Sequence, residues 1–260
     1  MDTHYSVEKN IHLLGMRSIH VQSLPNGEID YRGLKEAIAQ CPHVPPIIVA
    51  NIGTTMKGAV DSILDIQQIL SYLKIQEYYL HCDAALFGML LPFLPPHFGR
   101  EFDFSAGIDS LAISGHKMIG MPIPCGILLT KQSYKEHIVR NIEYTGAQDS
   151  TILGSRNGFS PLLLWYEMIW REGQDNMCGL AEACIRKAEY TVQRFKRYKI
   201  FAWSNHNSVI VLFPRPSETM RYKWQLAVQG ELAHIITLPH LTYKVIDQFV
   251  EEVASDLGLL

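Results

Sequence analysis

At 260 residues, with 47% hydrophobic and 19% charged residues, the chain can pack one large domain or two smaller ones, and its composition excludes a disordered chain. The net charge of -3 gives no electrostatic reason to propose nucleic acid or an anionic membrane as a partner. No apolar run reaches the ~18 residues of a membrane span, no secretory leader opens the chain, and the five cysteines form no Cys-x-x-Cys pair, so a reduced, cytoplasmic compartment is expected.

The first strand candidate is the β-branched run over residues 45–50, which ends at Asn51-Ile52-Gly53-Thr54-Thr55. Ile63, Ile66, Ile69, Leu70 and Leu73 follow at helical spacing within residues 61–73. A short strand over 78–80 leads into His81-Cys82-Asp83-Ala84-Ala85. An apolar run over 108–113, with its strand at 110–113, leads into Ser114-Gly115-His116-Lys117, and a further strand covers 126–129. Strand, helix and strand in this rhythm predict an α/β fold, a mostly parallel sheet covered by helices. Active-site groups of such sheets gather at the carboxyl ends of the strands, and Thr55, Asp83 and Lys117 all lie just past strand candidates.

Residues 160–170 read as a buried helix, with Ser160 as its cap and Pro161 at its first helical position. Leu180, Cys184, Ala188, Val192 and Phe195 then describe one amphipathic helix. Strands at 209–213 and 231–238 and a final helix at 242–253 complete the pattern. A boundary near Met177 divides the chain into a large domain, 1–176, and a small C-terminal α/β domain, 177–260.

Two apolar runs thus each deliver one ionisable residue to a strand end. An amine and a carboxylate so placed suit a pyridoxal phosphate (PLP) site, where the amine takes the aldehyde and the carboxylate faces the pyridine nitrogen. Each residue also has a plainer reading. Lys117 reads as a surface lysine after a turn, Asp83 as a helix cap, and His4, in His4-Tyr5-Ser6, as a solvated residue near a terminus. His81 and His116 are equally open, with His116 a candidate donor to a phosphate. The glycine-containing segments at 51–55 and 154–158 could both approach a phosphate or carboxylate. Eleven histidines give no His-Glu-x-x-His pair, so no metal site is expected. P-loop, Rossmann and Gly-x-Ser-x-Gly signatures are absent.

Read jointly, the sequence resembles the PLP-dependent amino acid decarboxylases of aspartate aminotransferase-like fold. The motifs are His4-Tyr5-Ser6, residues 51–61, His81-Cys82-Asp83-Ala84-Ala85, Ser114-Gly115-His116-Lys117 and Gly154-Ser155-Arg156-Asn157-Gly158. Their order is similar to that of bacterial PLP-type histidine decarboxylases and of plant serine decarboxylases. Residues 25–31 and 117–126 lean towards the histidine branch. The resemblance implies that Lys117 forms the Schiff base with PLP, Asp83 pairs with the pyridinium nitrogen and His4 stacks on the ring. Thr55 and Ala85 would line the cofactor, Ser114 and His116 would lie near its phosphate, and Tyr144, on a mobile loop, would deliver the proton to the substrate α-carbon.

The expected reaction is loss of carbon dioxide from a small amino acid, histidine giving histamine. Serine giving ethanolamine and an inactive truncated homologue are the alternatives. A homodimer or higher homo-oligomer is implied. Family members carry a segment upstream of the His-Tyr-Ser motif, with a phosphate-gripping loop, whereas three residues precede His4 here. The chain therefore reads as N-terminally truncated, with weakened PLP binding and apolar surface exposed around the start of the sheet.

Overall fold

A computed structural model of the chain describes residues 2–95, 102–171 and 173–259. Helix α1, Tyr5–Leu13, buries none of its residues. Helix α2, Tyr31–Ala39, is capped by Asp30, which accepts the Arg32 N–H, and turns Leu34 and Ile38 inward. Strand β1, Ile47–Asn51, leads to helix α3, Ile63–Tyr72, where the Ser62 hydroxyl accepts the Asp65 N–H and Ile63, Ile66 and Leu70 form the buried stripe.

Strands β2, Tyr79–Asp83, β3, Ser110–Ser114, and β4, Gly126–Thr130, complete a four-stranded sheet in the order β1-β2-β3-β4. The first three run parallel, and β4 returns antiparallel along β3. The register pairs Asn51 with Asp83, Asp83 with Ala112, and Ser114 with Gly126, so these strand ends meet at one edge of the layer. Asp83 is thus the last residue of its strand, not a residue beyond it.

Helix α4, Gln132–Ile138, is followed by a hairpin of β5, Arg140–Ile142, and β6, Ala147–Asp149. Helix α5, Phe159–Trp165, continues as a π-helical segment, Tyr166–Arg171. Its start corrects the cap read from sequence. Gly158 holds the cap position and Ser160 lies inside the first turn, because the Asn157 side chain reaches forward to accept the Ser160 N–H at 2.8 Å. Pro161 then falls third in the helix, where its missing N–H still costs nothing.

Helix α6, Gly173–Arg197, contains the position near Met177 where a domain boundary was expected. Its early residues Met177, Ala181 and Cys184 join the core around the four-stranded sheet, and its later residues Ala188 and Phe195 join a second core. One helix thus serves both. The second core is covered by β7, Ile210–Pro214, α7, Glu218–Trp224, β8, Val228–Gln229, β9, Leu232–Ile236, and α8, Tyr243–Asp256, with the strands antiparallel in the order β7-β9-β8. Phe195, Phe213 and Phe249 form its centre, with Phe195 and Phe213 stacked at 4.9 Å and Phe249 edge-on to both. Such pairs contribute about 0.5–1.5 kcal/mol each beyond their buried area.

Large apolar side chains remain exposed on β4 (Leu128, Leu129), on α1 (Leu13) and on α5 and its extension (Leu162, Trp165, Ile169). Among the described residues, no helix is long and apolar enough to cross a membrane.

Candidate active site

The site is built on the carboxyl ends of the parallel strands. Side chains alternate along β2, so Leu80 and Cys82 enter the core while Tyr79, His81 and Asp83 share the opposite, half-buried face. Asp83 accepts the Ala85 N–H at 3.2 Å on Oδ1, and Oδ2 has no partner among the described residues. The strand-end turn is closed by backbone bonds from Ala84 N–H to the Ala112 carbonyl and from Ser114 N–H to the Ala85 carbonyl, both 2.9 Å. Asp83, Ala85 and Ser114 are therefore neighbours across β2 and β3. His81 lies within 2.7 Å of the Ser110 hydroxyl; burial lowers its pKa, with Asp83 opposing. Beneath them, burial first and then the charges of Asp61 and Asp83 push the Cys82 thiol up to about 12.

Lys117 sits in the turn after β3, its N–H bonded to the Ser114 carbonyl at 3.3 Å. It is half-buried, and its amine has no hydrogen bond or ion pair among the described residues. That separates it from two other lysines near motif segments. Lys57 Nζ is held by Asp2 at 3.2 Å, and Lys131 Nζ by Asp109 at 2.7 Å. Gly115 lets this turn close, since a Cβ there would lie 3.0 Å from the Met121 sulfur. His116 is exposed, and its Nδ1 accepts the Cys125 N–H at 3.1 Å, which places the proton of a neutral ring on Nε2 and leaves that atom as an outward donor.

The segment after β1 is more elaborate than its sequence suggests. Asp61 is fully buried and accepts the Ile29 N–H at 2.8 Å, the Asn51 N–H at 2.7 Å and Asn51 Nδ2 at 3.1 Å. Burial raises its pKa, with these bonds opposing. Gly53 has φ +98°, and a Cβ there would meet the Phe87 ring at 2.5 Å, so only glycine fits. The Thr54 hydroxyl accepts the Ala59 N–H at 3.0 Å, which folds the loop and leaves Thr55 exposed at its tip. His4 caps α1, with Nδ1 accepting the Ser6 N–H at 3.3 Å, and is drawn to the end of β1 by the bond from Asn51 Nδ2 to Thr3 Oγ1 at 3.2 Å.

Two sequence candidates stand apart. Tyr144 lies at the tip of the β5–β6 hairpin and is 92% exposed. The segment 154–158 is exposed throughout, and Arg156 lies 4.0 Å from Asp149. Asp61 and Asn51 were quoted only as parts of a motif; the ten-residue spacing that makes them partners carries no periodic signal. Among the described residues no group of His, Cys, Asp and Glu could hold a metal ion.

The chain matches the family model "Pyridoxal-dependent decarboxylase conserved domain" over residues 1–213. It belongs to the pyridoxal-dependent decarboxylases. It is 47% identical to a histidine decarboxylase of Vibrio anguillarum over 98% of this chain and 66% of that protein. It is 46% identical to a histidine decarboxylase of Pseudomonas fluorescens over 99% of this chain and 64% of that protein. A crystal structure of L-methionine decarboxylase from Streptomyces sp. 590 superposes with a TM-score of 0.87 at 25% identity, covering 100% of this chain and 70% of that one. The chain thus spans about two thirds of the length of the curated relatives it matches.

The residues present fit the family's cofactor, PLP, in kind. An unpaired amine, a carboxylate with a free oxygen, a hydroxyl at Ser114 and an outward ring N–H at His116 answer to an aldehyde, a pyridine nitrogen and a phosphate.

Proposed function

We propose that this chain carries the catalytic core of a PLP-dependent enzyme that converts L-histidine to histamine and carbon dioxide. The observation that carries the reading is the unpartnered Lys117 amine beside Asp83 and Ser114 at adjoining strand ends, in a chain so similar to histidine decarboxylases. Bound there, PLP supplies an electron sink for the pair left when the bond from the α-carbon to the carboxylate breaks. Lys117 holds the cofactor, and Asp83 keeps a proton on its ring nitrogen. His4 covers the ring, Thr55 and Ala85 line it, and Ser114 and His116 donate to the phosphate. Tyr144 delivers the proton that replaces the lost carboxylate at the α-carbon.

The architecture reads as an aspartate aminotransferase-like large domain joined through α6 to a small C-terminal domain. The exposed apolar faces of α1, β4 and α5 favour a homodimer, and a tyrosine so exposed at position 144 meets a site only once a further surface covers it. The free cysteines favour a reducing cytoplasm.

The test is product analysis with PLP and either histidine or serine, followed by borohydride fixation and peptide mapping. Histamine from histidine and a pyridoxyl label on Lys117, both lost in Lys117→Ala, are expected. Ethanolamine from serine without histamine, or a label on Lys57 or Lys131, would overturn the reading.

A further inference from the structure

We propose that Lys57 is a positioning residue for His4, acting through its ion pair with Asp2. The inference rests on the cofactor reading above and adds the device that holds the imidazole in place. Helix α1 buries no side chain, so packing does not fix where it starts. Three polar links just ahead of it do. Lys57 Nζ reaches Asp2 Oδ2 at 3.2 Å, Asn51 Nδ2 donates to Thr3 Oγ1 at 3.2 Å, and the Asp2 N–H donates to Ser23 Oγ at 3.1 Å. Two of the three come from β1 and the loop that follows it.

The ion pair is the strongest link. The Lys57 and Asp2 side chains are only 18% and 5% exposed, so solvent screens them weakly. The other Asp2 oxygen, Oδ1, is buried with no partner, so Lys57 is what compensates the carboxylate. Removing one partner of such a pair leaves an uncompensated buried charge, which drives its segment outward towards water. His4 lies two residues from Asp2 and must move with it.

Lys57 is itself held from the C-terminal half of the chain. Its carbonyl accepts Asn205 Nδ2 at 2.8 Å, and the Asn205 amide also binds the Asn26 carbonyl. The neighbouring Met56 carbonyl lies 3.0 Å from His234 Nδ1 on β9, which donates to it. Gly58 packs so closely on Ser208 that a Cβ would collide with the hydroxyl. The β7–β9 layer therefore fixes the loop, the loop fixes Asp2, and Asp2 fixes His4. The three links are short, polar and continuous, and each has a named pair of atoms.

The experiment uses the full chain with Lys57→Met, and with Lys131→Met as a matched control. The control breaks a comparable buried pair away from the strand ends, the 2.7 Å contact with Asp109. In protein without PLP, amide hydrogen exchange over residues 7–13 should rise about tenfold in Lys57→Met and stay unchanged in Lys131→Met. PLP affinity should fall about tenfold in Lys57→Met and recover in Lys57→Arg. The same substitution should cost less than about twofold in a His4→Ala background, because coupled residues are not additive. Should Lys57→Met fail to fold, Asp2→Asn removes the same pair and carries the same expectations. Unchanged exchange over residues 7–13 overturns the proposal, and so does an equal loss of affinity with and without His4. Borohydride mapping of the unsubstituted chain separates the two ideas. Lack of a label on Lys117 sinks the cofactor reading, while the exchange result still decides whether Lys57 anchors the segment.

Discussion

Replacing Asp61 tests whether the geometry of the strand ends depends on one buried carboxylate. Its three partners, the Ile29 N–H, the Asn51 N–H and Asn51 Nδ2, are all donors, so the ionised form matches its surroundings even though burial raises its pKa. In Asp61→Asn one oxygen becomes an NH2 group. Whichever way the amide turns, either the Ile29 or the Asn51 N–H then faces a donor. A buried donor left unsatisfied costs about 1–3 kcal/mol, and a lost bond to a charged group about 1.5–3 kcal/mol. With water entering part of the gap, about 3 kcal/mol is expected at pH 7. Asp61→Ala strands all three donors and should cost about 4–5 kcal/mol. In a chain of this size the Asn variant should melt about 6–12 °C lower. Guanidinium titration followed by circular dichroism should show a lower midpoint at an unchanged slope. The pH dependence has a definite sign. A raised folded-state pKa means that this group's contribution is complete below the ordinary carboxylate range and is lost as pH climbs through the raised value. Asp61→Asn lacks that decline, so the gap between the two proteins should narrow as pH rises. An Asn variant within about 0.5 kcal/mol of the parent, or a gap that widens with pH, would refute the reasoning.

Two further predictions concern groups away from the reacting centre. Burial pushes Asp109 up, but bonds from Lys131, the Leu80 N–H and the Tyr134 hydroxyl outweigh it and hold the carboxyl below its usual range. Its contribution is therefore present above the ordinary value of about 4 and lost as pH falls through the depressed one. Asp109→Asn should cost about 1–3 kcal/mol near neutrality, towards the low end because Lys131 is 39% exposed; acid titration of both proteins checks that the variant lacks the low-pH loss. With its thiol pushed up to about 12, Cys82 should resist iodoacetamide at pH 8 in the folded protein while the half-buried Cys41 and Cys125 react; rapid labelling of Cys82 before unfolding would contradict its placement.

The elements legible in the sequence were those whose burial repeats at a regular period. Helix α3 shows its apolar stripe at Ile63, Ile66 and Leu70, and β3 and β4 are short runs with clear ends. Helix α1 went unread because it buries nothing, so no stripe marks it. The hairpin of β5 and β6 is exposed on nearly every residue and gives no alternation. The cap of α5 was misread because Ser-Pro is a strong local signal, whereas Asn157 acts three residues ahead through a side chain. Of the site, Lys117 and Asp83 were legible because each follows an apolar run. What could not be read was their support. Asp61 with Ile29, Asn205 with Lys57, and His234 with Met56 are pairs separated by 32, 148 and 178 positions.

Those supports explain why the charges at the strand ends stand out. Asp109, just ahead of β3, is saturated by an ammonium, a hydroxyl and a backbone N–H. Asp61 takes three donors, and Asp2 takes Lys57. Burying ionised groups costs several kcal/mol unless they are paired, so compensation of this kind is what stability alone requires. Lys117 and Asp83 depart from it. Lys117 is half-buried with its amine unpaired, and Asp83 leaves one oxygen open, at adjoining ends of two parallel strands. A fold selected only for stability would have paired them with each other or turned them into solvent. Leaving both poised is reasonable where a ligand supplies the missing partners, an aldehyde for the amine and a protonated ring nitrogen for the carboxylate. On this argument PLP should raise the stability of the chain by more than its contacts with Lys117 alone provide. Asp83→Asn, which keeps the shape and removes the charge, should therefore shrink the PLP-induced rise in melting temperature. An equal rise in both proteins would mean that Asp83 takes no part in binding and serves only to cap the turn at Ala85.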